Sequence, residues 1–215
     1  MWTRGGLKHG APTVDAIVEA ALARWPNVPD VHHWLMLDER GRYRMRAADY
    51  ASGRFETIGN AAIADFIGRN YLPDERGRWY FQNGPQRVFV RLAITPWIYR
   101  CERGQLPLTH TGRAATRIEG LWIDDLARPI MLTDIGPGAV DDRDLGHIQE
   151  ALTDGDGRSL GDTSLERWLA MPEPGSLLFT WAGAPHVVQA IRHTDLGTRF
   201  GFDAEPALRS EVGQP

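Results

Sequence analysis

The chain has 215 residues, a formal net charge of −4 and a pI near 6.0. Its 42% hydrophobic and 24% charged residues sit at globular averages, which excludes disorder along the whole chain and leaves room for one large or two small domains. The acidic balance, with arginines scattered rather than clustered, argues against a nucleic-acid partner. Cys101 is the only cysteine, so neither an intrachain disulfide nor a multi-thiolate metal site is available, and the cytoplasm is the expected compartment. Residues 1–26 lack the apolar stretch and small-residue cleavage site of a secretory signal. No apolar run approaches the roughly 18 residues of a membrane span, so no membrane partner is expected.

Residues 13–25 read as a helix. Thr13 caps it, Val14, Ile17, Val18, Ala21, Leu22 and Trp25 recur at helical spacing, and Pro26 and Pro29 stop it. His32 to Leu37 reads as a strand, Asp38-Glu39-Arg40-Gly41 as a turn, and Tyr43 to Arg46 as the returning strand. Asn60 caps a second helix with the apolar face Ile63, Phe66, Ile67 and Tyr71, ended by Pro73. A second turn, Asp74-Glu75-Arg76-Gly77, precedes Trp79-Tyr80-Phe81. Gly84-Pro85 then turns into Val88 to Ile94, and Trp97-Ile98-Tyr99 continues beyond Pro96. This half reads β-β-α-β-β-β. Residues 102–117 are polar and rich in turn formers, as a linker would be.

The order of signals then repeats. Leu121-Trp122-Ile123-Asp124 resembles Leu35-Met36-Leu37-Asp38, and Ile130-Met131-Leu132 is the returning strand. Asp141 or Asp142 caps a helix with Leu145, Ile148 and Leu152 inward, and Leu165 to Leu169 adds a short helical turn. Leu177 to Trp181 and Val187 to Ile191 flank a turn at Gly183-Ala184-Pro185. Leu35 and Leu121 are 86 residues apart, Phe81 and Phe179 98 apart, which places an insertion in the second copy around Asp154-Gly155-Asp156-Gly157. The expected fold is therefore α+β: two related units of curved, mainly antiparallel sheet, each with a helix, plus an N-terminal helix. The first unit spans 1–101, the linker 102–117, the second unit 118–205 and a tail 206–215.

Within residues 40–100, Ile58, Ile63, Phe66, Leu72, Asp74, Gly77, Val88, Val90 and Thr95-Pro96-Trp97-Ile98 form a pattern of apolar spacing. It resembles an uncharacterised proteobacterial family of small two-domain α+β proteins, a domain of unknown function. The resemblance implies a two-domain α+β fold and a tie to signalling or ligand binding, and it carries no functional residues across. Pro85-Gln86-Arg87 departs from that family's pattern, where a charged Glu-Lys pair is expected.

No motif with a chemical mechanism stands out. The seven histidines (His9, His32, His33, His110, His147, His186 and His193) form no zinc-binding spacing, and His32 and His33, adjacent on a strand, point to opposite faces. Cys101 has neighbours of mixed charge, with nothing to stabilise a thiolate. Asp124, Asp125, Asp134, Asp141, Asp142 and Asp144 fall at turns and a helix start, where carboxylates serve structure. The Asp154 segment lacks the calcium loop's glycine and closing glutamate. Gly136-Pro137-Gly138 before a helix lacks the lysine of a phosphate-binding loop. Neither a cofactor, a metal nor a catalytic residue is assigned. Trp34 and Trp122 are expected where the units face one another, with Gln82, Asn83 and Arg87 of the first hairpin and His186 of the second forming a recognition surface. The leading expectation is a non-enzymatic small-ligand-binding or regulatory module near the junction of the units, taking a small anionic ligand or a protein partner. The alternative is a hydrolase or lyase using an Asp-His pair in the inter-unit cleft.

Overall fold

The computed structural model describes residues 14–160 and 162–206. The first sheet comprises β1 (Val31–Leu37), β2 (Tyr43–Arg46), β3 (Phe55–Thr57), β4 (Tyr71–Pro73), β5 (Trp79–Asn83) and β6 (Gln86–Leu92), in the order β3-β2-β1-β6-β5-β4. The second comprises β7 (Trp97–Arg100), β8 (Leu108–Thr109), β9 (Ile118–Asp124), β10 (Pro129–Thr133), β11 (Gly136–Val140), β12 (Leu152–Asp154), β13 (Leu177–Trp181) and β14 (Ala184–Ile191), in the order β12-β13-β14-β9-β10-β11-β7-β8. Neighbours are antiparallel except β1 with β6, β9 with β14 and β7 with β11. The helices are α1 (Ala16–Arg24), α2 (Ala61–Arg69), α3 (Leu145–Glu150), α4 (Asp162–Ala170) and α5 (Leu196–Phe200).

The two sheets share one topology. The path β1-β2-β3-α2-β4-β5-β6 is matched by β9-β10-β11-α3-β12-β13-β14, with the single parallel pair of each set at the corresponding place. The registers agree as well: Leu35↔Val90 and Met36↔Arg91 correspond to Leu121↔Val188 and Trp122↔Gln189. The turns are built alike. The Asp38 carboxylate accepts the N–H groups of Arg40 and Arg42 (3.0 and 2.9 Å) and the Arg42 Nε–H (2.8 Å). Asp74 with Arg76 and Arg78, and Asp124 with Leu126 and Arg128, repeat the arrangement. Asp154 repeats its backbone part. The motif needs a left-handed residue just before the arginine, which is Gly41, Gly77 and Gly157 in three turns and Ala127 in the fourth.

Short segments tie the units together. Beyond β6 the chain crosses at Thr95-Pro96 and adds β7 to the second sheet, pairing Trp97 with Gly138. Thr95 Oγ1 fixes the crossing by donating to Trp97 O (2.8 Å) and accepting the Ala139 N–H (2.7 Å). In return, residues 202–206 strap the first sheet: Asp203 N–H donates to Gly77 O (3.0 Å) and Leu92 N–H to Ala204 O (2.9 Å). Gly77 is required there twice over, by its φ of +76° and by the Gly201 carbonyl lying where a Cβ would stand. Tyr43, Tyr71, Trp79 and Trp97 meet with centroids 4.7 to 5.9 Å apart and form the aromatic centre of the core.

Asn60 caps α2 as expected, accepting the Ile63 N–H (3.3 Å). Buried Asn70 ends it: its side chain donates to Phe66 O (2.9 Å) and accepts the Asp15 N–H (2.8 Å), docking the start of α1. Phe66 meets Phe81 edge to face at 5.5 Å, so α2 covers the face shared by Leu35, Leu37, Val88 and Val90.

Several expectations need correction. Tyr71 and Leu152 continue the helical spacing by one turn, yet they begin the edge strands β4 and β12. Gly136-Pro137-Gly138 is not a loop before a helix but part of β11, where the Tyr99 ring lies against Gly138. Residues 102–117 include β8, and Gln105 O accepts the Trp181 indole N–H (2.6 Å). The strand alternation expected at His32-His33 breaks, because His33 has a φ of +65° and the β1–β6 register shifts between Val31 and Leu35. The Thr13 cap and residues 207–215 of the expected tail lie outside the described residues.

Candidate functional site

Two clefts among the described residues measure about 500 Å³, enough for a small organic molecule. One, about 520 Å³, lies at the junction, between α2, the β1–β2 turn and residues 110–112. Its floor is Tyr43 and His110. The Ile98 N–H donates to His110 Nδ1 (3.4 Å), so Nε2 carries the proton and donates to Tyr43 OH (3.1 Å). Burial among the aromatic rings pushes the imidazole pKa down to about 3. Both nitrogens are engaged and the ring stays neutral near pH 7, so it is not poised as a general acid or base. The arginines of this cleft are committed too, Arg42 to Asp38 (2.8 Å) and Arg69 to Asp15 (3.4 Å).

The other cleft, about 490 Å³, opens at the carboxyl ends of the parallel pair β9 and β14. Such ends are where open sheets hold ligands. Trp122, opposite in face to Leu121 and Ile123, lines it together with Gln189, and Leu169 and Pro172 form one wall. The Phe200 ring stands edge-on to Trp122 at 5.1 Å, and the Arg199 guanidinium lies 5.4 Å from the indole centroid. Every acid around the cleft already has a partner: Asp124 has Arg128 (2.7 Å), Asp125 has His193 (2.9 Å) and Asp195 has Arg192 (3.0 Å). Arg199 makes no ion pair among the described residues.

The sequence-predicted residues are dispersed. Trp122 lies in the cleft on the second unit. Trp34 is half-exposed on β1 of the first unit. Gln82 is buried, and its amide donates to Gly84 O (2.9 Å), holding the β5–β6 turn. Asn83 sits at that turn opposite Gln86, and Arg87 lies over the Tyr80 ring at 5.1 Å. His186 faces Phe179, with centroids 6.4 Å apart, and burial lowers its pKa. Arg199 and Gln189 carry no sequence signal of their own. Only the register Trp122↔Gln189 and the docking of α5 bring them to Trp122.

An acid–base mechanism calls for a carboxyl raised above its usual range beside a histidine. Asp125 and His193 do pair, but burial is slight, and the His193 backbone N–H and ring hold the Asp125 carboxyl below its usual range. Asp49, Asp74, Asp134 and Asp141 are also lowered. Burial pushes the Cys101 thiol up to about 12, which leaves it inert as a nucleophile. Among the described residues there is no group of three or more metal-ligating side chains, and no helix is long and apolar enough to cross a membrane.

Two sheets of one topology, joined by β7 and the 202–206 strap, define an α+β protein built of two related units. The chain belongs to the DUF2944 family, described as a protein of unknown function (DUF2946), with the match spanning residues 14–207. A solved DUF1285 family protein from Silicibacter pomeroyi DSS-3 is similar at 13% identity, covering 89% of this chain and 97% of its own, with a TM-score of 0.47. No curated protein matches the chain.

Proposed function

We propose that the protein is a non-enzymatic binding or regulatory module, cytoplasmic, whose second unit takes a small organic anion in the Trp122 cleft. One observation carries this reading: Arg199, without a carboxylate partner among the described residues, stands over Trp122 in a half-apolar cleft whose acids have partners of their own. An anion with a planar or apolar body satisfies both surfaces, its charge on Arg199 and Gln189 and its body against Trp122, Leu169 and Pro172. The test is a thermal-shift panel of carboxylates, nucleotides and other anionic metabolites on wild type and Arg199→Ala. A ligand at about 100 times its dissociation constant stabilises the fold by roughly 2.7 kcal/mol, and the shift disappears in Arg199→Ala. A panel giving no Arg199-dependent shift removes this reading and favours a protein partner.

A further inference from the structure

We infer that the occupant of the Trp122 cleft is a monocarboxylate with an unbranched apolar chain, its carboxylate held by Arg199 and its chain lying along the sheet face from Trp122 toward Val187. The inference rests on the anion-binding reading of this cleft and narrows it to one class of ligand.

Charge sets the head group. Asp124, Asp125 and Asp195 line the cleft, and its other guanidinium, Arg192, is held by Asp195 at 3.0 Å. A polyphosphate on Arg199 would bring its further charges beside Asp125 and Asp195, whose side chains are 46% and 48% exposed, at a like-charge cost. A single carboxylate fits the single guanidinium fork. Gln189, exposed and without a hydrogen bond among the described residues, offers its amide to the same group.

Register sets the body. The Trp122 indole leans back over Gly120, where a Cβ would stand 2.9 Å from the ring. Val187 comes one step before the pair Val188↔Leu121, so it lies beside Gly120 and shares a face with Gln189 and Ile191. On its other side it pairs with Leu178 of β13. Although β14 has a neighbouring strand on each side, Val187 is 47% exposed. From Ile191 to Val187 this face runs ~13 Å at ~3.3 Å per residue, which suits an extended chain rather than a compact body. The first unit fills the corresponding place with its own side chains. Phe89 stands at the register of Val187, is 1% exposed, and is covered by the His32 ring at 4.6 Å and the Arg78 guanidinium at 4.4 Å. In the second unit the same place is open and apolar, next to a guanidinium, and a chain ending in a carboxylate covers the one and pairs the other.

Butyrate, hexanoate and octanoate are titrated by calorimetry into wild type, R199A and V187S, with hexanamide as an uncharged comparison and adenosine monophosphate as a multiply charged one. Both substituted side chains are exposed, so the variants should melt with wild type. Burying one methylene is worth a factor of about four, so octanoate is expected to bind at least about tenfold more tightly than butyrate. R199A weakens all three carboxylates, hexanamide binds far more weakly than hexanoate, and V187S weakens octanoate at least about threefold more than butyrate. Affinity that is flat with chain length, equal binding by R199A and wild type, or equal effects of V187S on octanoate and butyrate overturns the proposal. Arg199-dependent binding of adenosine monophosphate without any gain from butyrate to octanoate overturns the apolar chain and leaves the anion-binding reading standing. No Arg199-dependent binding of any of the four anions removes both.

Discussion

Replacing Asp124 by alanine removes the acceptor at the centre of the β9–β10 turn. Asp124 is fully buried and receives the Leu126 N–H (3.0 Å), the Arg128 N–H (2.8 Å) and the Arg128 Nε–H (2.8 Å). A hydrogen bond to a charged group is worth about 1.5–3 kcal/mol, and breaking a buried ion pair by deleting one partner costs about 3–5 kcal/mol. Arg128 is 27% exposed and keeps some access to water, which draws the expected loss toward the lower end, about 3 kcal/mol. Asp154 serves the same backbone pattern, with Asp156 N–H at 2.9 Å and Arg158 N–H at 2.8 Å, but at an exposed turn where Arg158 turns to Asp156 instead. Its replacement by alanine is expected to cost less than about 1 kcal/mol. Urea unfolding measures both: the midpoint falls clearly for Asp124→Ala, with unchanged m, and barely for Asp154→Ala. At about 2–4 °C per kcal/mol for a chain of this size, the melting temperatures separate by several degrees. Equal losses at the two turns, or a loss under about 1 kcal/mol at Asp124, would refute the idea that burial sets the worth of this motif.

Acid should loosen the fold through two groups in distinct windows. His110 is depressed to about 3, so below pH 6.5 the unfolded chain takes up a proton that the folded one refuses. Stability is therefore lost as pH falls from 6.5, by up to about 1.4 kcal/mol per unit, and the gap between wild type and His110→Gln in chemical denaturation narrows between pH 6 and 4. A constant gap contradicts the neutral, enclosed imidazole. At Asp141, burial acts to raise the carboxyl, but the Arg143 guanidinium and backbone N–H outweigh it and hold the pKa at about 2. That contribution, about 2 kcal/mol, is present above pH 4 and disappears toward pH 2, and Asp141→Asn should lack this dependence. Gly77→Ala is expected to cost more than about 2 kcal/mol by urea midpoint, since the left-handed backbone and the Gly201 carbonyl both oppose a side chain. Gly183→Ala, with a φ of +80° but open space around it, should cost only about 1 kcal/mol. Similar costs at both positions would show that strap contact adds nothing to backbone strain.

The long strands are legible in the sequence because their apolar runs are bounded by aspartate turns. Leu35-Met36-Leu37-Asp38 and Leu121-Trp122-Ile123-Asp124 therefore reveal the repeat. The edge strands are not. Phe55-Glu56-Thr57 is too short to show an alternation, and Gly136 and Pro137 hide β11 behind turn formers. Tyr71 and Leu152 keep in phase with the helices before them, so periodicity alone extends those helices. At the candidate site, Trp122 is visible as a tryptophan on a strand, whereas Arg199 belongs to a five-residue helix with no periodic signal. Its place above the indole depends on how α5 docks, which is a tertiary fact. Gln82 shows the opposite failure: a polar residue beside a turn reads as a recognition group, yet its amide is consumed by the turn itself.

The two units diverge most where their matching registers would otherwise give matching surfaces. β5 begins five residues after Asp74, at Trp79, but β13 begins twenty-three after Asp154, at Leu177. The added chain in the second unit carries α4, and its end supplies Leu169 and Pro172 to the wall of the Trp122 cleft. The first unit has no such insertion, and the strap from the far end of the chain lies across its corresponding face, Glu205 reaching Arg91 where Gln189 stands in the second. Arg91 in the first unit pairs with the chain's own Glu205, whereas Gln189 at that register in the second carries no charge to pair. In the second unit Asp124, Asp125 and Asp195 around the cleft have partners of their own, and the guanidinium at Trp122 comes from α5. One fold thus presents two different faces, one covered by the strap through Glu205 and Arg91 and one walled by the end of the α4 insertion beside Trp122.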